Sequence, residues 1–474
     1  MSALSYLSWV DAATQIQQGK LSSKDYVESQ LARIESLNPT LNAFLHIDAE
    51  GALERAAKAD QMVSSGANVG PMHGVPFALK DIIDVAGMPC TAHSKILADR
   101  VAESNANVTE RLEAAGGICV GKLATHEFAF GGPCFDLPWP PARNPWDTRM
   151  FPGGSSSGSG SAVAAGLVPV ALGTDTGGSV RNPASMCGIV GLKATYGLVS
   201  RRGVIPLAFS LDHVGPMTRT VRENAALLQV IAGHDRGDPA SANQPIPNYL
   251  EAVDEGTSKG LSGLRIGVIR HFFEEDMQAS DPVRAGIDAA LAVFESLGAS
   301  IEVVRTCPMQ EFSDGNRFLL LAEAYAVHQQ WMRERPQDYA QMTREKLAPG
   351  AFLSAADYVQ ALRHRPKLAA EIDALFDSVD VVITASSMDL PFPIDDPELV
   401  ARCYPRQARA PFNLTGHPAL ALPVGYHDDG VEPALPLSLQ LVGAHFDEVT
   451  LYRVASAYEA ATQWTERHPP LEGR

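Results

Sequence analysis

Between Glu127 and about Met217 the chain is dense in glycine, serine and proline, and this tract constrains the fold more than any other. Composition alone would make it a low-complexity segment. Two apolar stretches, SAVAAGLVPVALG and CGIVGLKATYGLV, argue otherwise, because they interrupt the tract and have to be buried. Bounded by glycine and proline, such runs read as helices or strands of a packed core. The tract is therefore a place where backbones approach closely, with loops carried on a rigid scaffold.

The flanks alternate helix and strand. Two helices are expected at the N-terminus. The second opens at LSSKDYVESQLARIESLNP, with Ser22 or Ser23 as its cap and Tyr26, Val27, Leu31 and Ile34 at helical spacing. AEGALERAAKADQMVSSG is a further helix stopped by Gly66. GPMHGVPFALKDIIDVAG reads as strand, turn, strand around Lys80, and NANVTERLEAAGGICVGKLA as helix then strand. The same texture returns over residues 222–305. Residues 315–376 are helical and more polar, suited to a cap over a sheet. VDVVITAS, GHPALALPVGY and LPLSLQLVG read as strands, and DEVTLYRVASAYEAATQW as a closing helix. No internal repeat or linker interrupts this order, so residues 1–474 are read as a single α/β domain.

Asp and Glu number 55 against 38 Lys and Arg, a formal charge of −17. Nucleic acid and anionic membranes call for the opposite sign, so neither is expected as a partner. The six cysteines (Cys90, Cys119, Cys134, Cys187, Cys307, Cys403) form no CxxC pair, which fits reduced thiols in the cytoplasm. The opening MSALSYLSWVDAATQ lacks the regions of a signal peptide, and no run of about 18 apolar residues marks a membrane span.

Four chemistries compete for the Gly/Ser-rich tract. A phosphate loop needs a lysine directly after its last glycine, and GGSSSGSGSAVAAG has none. A dinucleotide site needs a strand ahead of its glycines, and Gly158-Ser159-Gly160 has none. Gly154 to Gly158 spells a nucleophile elbow with Ser156 at its centre, but no strand leads into it. The base for such an elbow would be His417, which reads better as a structural histidine. The fourth is a serine whose proton passes to a lysine. Lys80 lies between two apolar runs, where burial can lower its pKa enough to make it a base. It reads equally as a surface lysine paired with Asp81 or Asp84. A metal centre finds no support, since His126-Glu127 is not part of HExxH and the 13 histidines are dispersed.

FPGGSSSGSGSAVAAGLVPVALGTDTGGSVRNPASMCG, GVPFALKDIIDVAGMPCT, NLTGHPALALPVGY and LSLQLVG together resemble the amidase signature family. The resemblance is dense over residues 70–220, weaker over 221–400, and covers nearly the whole chain. It implies an α/β fold with a large mixed central sheet covered by helices on both faces. It also implies a Ser–Ser–Lys triad. Ser179, which closes GTDTGGS, would be the nucleophile. Ser155, the first serine of PGGSS, would be the bridging serine at a cis peptide bond, and Lys80 the base. The backbone N–H groups of Thr176, Gly177, Gly178 and Ser179 would form the oxyanion hole. The implied reaction is amide hydrolysis through an acyl-enzyme without metal or organic cofactor, and the implied oligomer is a homodimer.

Around this core the resemblance leaves choices. Phe130, Phe135 and Trp139, in the unusual loop FGGPCFDLPWPPARNPWD, are expected to line the substrate pocket and to favour an apolar or aryl amide. Arg181 is a candidate for a substrate carboxylate, although a salt bridge to Asp175 that braces the loop is the preferred reading. Asp212-His213 reads as a structural turn before Gly215-Pro216, and Cys187 as a small buried residue. Ser157 stands where the family has glycine. The alternatives are a hydrolase of carbamates, ureas or biuret-like compounds, and the glutaminase subunit of a tRNA-dependent amidotransferase. A binding protein on an inactive scaffold is disfavoured because Lys80, Ser155 and Ser179 are all present.

Overall fold

Alternation of side chains along a strand can send its apolar residues to two different cores. In the computed structural model, which describes residues 2–428, 430 and 434–471, one sheet separates those cores. Its strands are β1 (Phe44–Ile47), β2 (Pro76–Lys80), β3 (Ile118–Leu123), β4 (Val170–Asp175), β5 (Val190–Lys193), β6 (His213–Thr218), β7 (Arg265–Val268), β8 (Ser300–Val303), β9 (Val381–Ala385), β10 (Ala419–His427) and β11 (Leu435–Val442). They lie in the order β1-β3-β2-β4-β6-β5-β10-β11-β9-β7-β8. The sheet is mixed: β2 runs parallel to β3 and β4, and β7 to β8 and β9, whereas β4/β6, β5/β10 and β10/β11 are antiparallel.

Phe77 and Leu79 of β2 enter the larger core and Ala78 the smaller. Val170 and Leu172 of β4 are likewise set against Ala171, and Leu420 and Leu422 of β10 against Ala421. Helices Ser23–Leu41, Ala49–Ser64 and Ser157–Ala164 close the smaller core through Val27, Ala52 and Val163. Helices Val221–Ile231, Asp281–Ser296 and Glu448–Thr462 close the larger one through Leu228, Ile287 and Tyr452. This is the expected mixed sheet with helices on both faces. The Ser22 hydroxyl caps the second N-terminal helix by accepting from Asp25 N. Among the described residues no helix is long and apolar enough to cross a membrane.

Two local expectations need correction, and two elements lie outside them. The second strand after Lys80 does not form, because the Lys80 carbonyl accepts from both Ile82 N and Ile83 N and turns the chain at once. Asp212 closes a turn, its N–H donating to Ala208 O, but His213 already begins β6, which runs on through Gly215-Pro216. Pro216 is tolerated there with Leu172 as its β4 partner. Short β1 and helix Tyr249–Lys259 had no clear signal in the sequence.

The pairing of β2 with β4 is what positions the site. Their register sets Leu79 beside Leu172, so the ends carrying Lys80 and Asp175 emerge side by side. Ligands of α/β sheets bind outside such carboxyl ends.

Candidate active site

Lys80 has no solvent exposure. Its ammonium donates to Ser155 Oγ at 2.7 Å and to Thr174 Oγ1 at 2.8 Å. The two acids that would make it an ordinary ion-paired lysine are taken. Asp81 faces Lys122 at 3.2 Å, and Asp84 binds Arg100 at 2.6 Å. Burial brings the Lys80 pKa down to about 7, against the opposing pull of Asp175 and Asp212. The surface-lysine reading is thereby replaced by a buried amine bonded to two hydroxyls.

Ser155 follows a cis Gly154–Ser155 peptide bond. Its carbonyl accepts from His126 N at 3.0 Å. The imidazole of His126 lies against Gly154 so closely that a Cβ there would sit 2.0 Å from His126 Cε1, so only glycine fits. Ser156, the centre of the elbow motif, has a different task. Its buried hydroxyl donates to Thr174 O and accepts from Thr174 N, both at 3.2 Å, and stitches the loop to β4. Its backbone N–H donates to Ser179 O at 3.2 Å, which joins the two serine loops.

The loop of residues 176–180 is folded around the Asp175 carboxylate. That group accepts from Gly178 N at 2.7 Å, Val180 N at 3.1 Å and Arg181 N at 3.3 Å. It also pairs with the Arg181 guanidinium at 2.9 Å. Burial alone would raise the Asp175 pKa. The charge and hydrogen bonds of Arg181, with those of Asn413, overcome it and hold the carboxyl well below the usual range. Arg181 is itself fully buried and donates further to Gln440 and Asn413. It is a brace, not a wall of the cavity. Gly178 also leaves the expected set of oxyanion donors, because its N–H is committed to Asp175. Among the described residues, the N–H groups of Thr176, Gly177 and Ser179 face no protein acceptor in this loop. Gly178 has φ +121°, in the region that favours glycine, and a Cβ on it would strike Arg409 Nε.

Replacing Asp175 with Asn is expected to cost about 3–5 kcal/mol, because Arg181 is left buried without its anion. Urea denaturation of the two proteins measures this, and a change below about 1 kcal/mol overturns the brace.

Ser179 opens onto a cavity of about 430 Å³, together with Thr176, Gly177 and Gly178. Phe130, Leu207, Leu320 and Leu321 form apolar walls, while Arg317, Glu345, Lys346 and Arg409 bring charge. Helix Met309–Glu334 contributes Asn316, whose side chain donates to Thr176 O at 3.2 Å. Of the three aromatic residues expected here, only Phe130 lines the cavity. Phe135 is exposed against Arg143, and Trp139 is turned to His93, because the loop carrying them packs along the outside. Arg317 and Lys346 were missed by sequence reasoning; both sit in ordinary helical sequence, with no motif to mark them. Thr176 Oγ1 donates to Asp212 at 2.6 Å, so Asp212 braces the loop, and Cys187 is buried with its thiol pushed up by desolvation.

The amidase family model matches residues 25–452. A glutamyl-tRNA(Gln) amidotransferase chain of Chloroflexus aggregans is 39% identical, over 99% of each chain. Among solved structures, a chain of a vestigial protein complex that reveals the evolutionary origins of an s-triazine catabolic enzyme superposes with a TM-score of 0.89. It is 32% identical, over 96% of this chain and 99% of that one. A bacterial aryl acylamidase of the amidase signature enzymes gives a TM-score of 0.88 at 25% identity, over 99% of each chain. The chain belongs to the amidase signature family and is a hydrolase acting on amide carbon–nitrogen bonds.

Proposed function

We propose that the chain cleaves a carboxylic amide through an acyl-enzyme on Ser179, with Lys80 as base and Ser155 as proton carrier. The observation that supports this most directly is the 2.7 Å bond from a water-excluded Lys80 to Ser155. In this reading neutral Lys80 takes the Ser155 proton as Ser155 takes that of Ser179. The Ser179 oxygen then attacks the carbonyl carbon. The developing oxyanion rests on the N–H groups of Gly177 and Ser179, fixed before the reaction by the Asp175 scaffold. Ser155 returns a proton to the departing nitrogen as the carbon–nitrogen bond breaks. Water enters by the same relay and releases the acid. An active-site sulfonylating reagent tests the nucleophile: the modified peptide is expected to carry the label on Ser179. A label on Ser156 overturns the assignment.

The apolar walls suit a substrate with an apolar or aryl body. A second reading, the glutaminase subunit of a tRNA-dependent amidotransferase, is favoured by the Chloroflexus relative. It also gives the cavity's cations a task, since glutamine carries a carboxylate. Burial lowers the Lys346 pKa, and an incoming carboxylate would restore the charged form. Lys346→Met is expected to raise KM about tenfold or more for amides bearing a carboxylate, and to leave neutral anilides unaffected. Steady-state kinetics on glutamine and an anilide decide it. Equal effects on both remove Lys346 from substrate recognition.

A further inference from the structure

The histidines that look dispersed in sequence converge away from the catalytic cavity. His417 lies between helix Ala410–Thr415 and β10, His445 follows β11, and Asp373 closes helix Ala355–Asp373. His417 Nε2 is 3.0 Å and His445 Nε2 is 3.8 Å from the same oxygen, Asp373 Oδ1. One ligand atom from each residue lies within 4.8 Å of the others. Ligands about 2.0–2.1 Å from a tetrahedral zinc ion stand about 3.3 Å apart, so small side-chain rotations would complete the triangle. A simple His–Asp hydrogen bond requires one imidazole. Here a second one is aimed at the same oxygen, with its ring 4.0 Å from the first.

We propose that Asp373, His417 and His445 form a binding site for a divalent transition-metal ion of the zinc class, unconnected with the amide chemistry. Imidazole and carboxylate are the donors such ions take, and three of them leave the fourth position open. The surroundings fit. His417 Nδ1 is held by Thr415 Oγ1 at 2.9 Å, an outer partner of the kind that orients a ligating ring. Phe376 stacks on the His417 ring at 5.6 Å. His417 is buried while Asp373 and His445 are partly open, so an ion has a way in.

The three residues belong to elements far apart in sequence. Helix Ala355–Asp373 packs on helix Met309–Glu334, which lines the substrate cavity. A metal ion here would tie that helical layer to the ends of β10 and β11.

The test uses the full chain stripped with a chelator and titrated with zinc chloride, read by calorimetry and by elemental analysis after equilibrium dialysis. One ion per chain is expected, with a rise in the thermal midpoint. His445→Ala, a partly exposed position, and Asp373→Asn are each expected to weaken binding at least about tenfold and to abolish that rise. Metal-free His445→Ala should retain wild-type amide hydrolysis. Failure of the wild type to retain zinc overturns the site, as does retention undiminished in both variants.

Discussion

Replacement of Ser179 by alanine is expected to lower kcat by about 10⁴-fold or more while leaving the fold intact. The chemical half of this expectation follows from the relay. Without the Ser179 oxygen no acyl-enzyme forms, and the remaining amides and cavity can only bind substrate. The structural half follows from how the loop is held. Its conformation is fixed by the Asp175 carboxylate bonding to the backbone N–H groups of Gly178, Val180 and Arg181, not by the Ser179 side chain. Thermal denaturation should therefore scarcely change. Ser156→Ala makes an informative contrast, since its hydroxyl serves only to stitch the loop to β4. Turnover of a responsive amide, measured beside denaturation curves, checks both halves. A folded Ser179→Ala protein with wild-type turnover would exclude Ser179 as nucleophile.

The second large effect is on pH dependence. A base acts only when unprotonated, and the Lys80 pKa is lowered by burial to about 7. Below that value each unit of pH is expected to remove about tenfold from kcat/KM, and above it the profile levels off. With an ordinary lysine the rise would continue to about pH 10.4. Lys80→Met, which keeps the volume and drops the amine, should lose activity at every pH. A profile of kcat/KM from pH 5.5 to 9.5 decides between these outcomes, and a flat one would remove Lys80 as base.

Much of this was legible in the sequence because the active site is built from local motifs. GTDTGGS and VPFALKD place Ser179, Asp175 and Lys80 with no knowledge of the rest of the fold. The Arg181–Asp175 brace was readable too, since the partners lie six residues apart. Other features were hidden for identifiable reasons. Gly178 resembles its neighbour Gly177, and only the Asp175 contact separates the engaged amide from the free one. Gly215-Pro216 carries turn chemistry, yet the pairing of β4 with β6 overrides it. Phe135 and Trp139 are aromatic residues in a loop near the site, but packing carries that loop past the cavity. Arg317 and Lys346 reach the cavity from helices remote in sequence. The convergence of Asp373, His417 and His445 depends on elements far apart in sequence, which no local pattern records.

The sheet's division between two cores also governs how this enzyme family member can change in length. Phe77 and Leu79 belong to one core and Ala78 to the other, and Lys80 shares the parity of Ala78. An insertion or deletion of one residue within β2 exchanges the faces of everything beyond it. An insertion would send Leu79 toward Ser155 and the amine into apolar packing, although composition would hardly change. Between Gly74 and Lys80 the proposed base is thus protected by counting: the segment can drift in side-chain identity, but not by an odd number of residues.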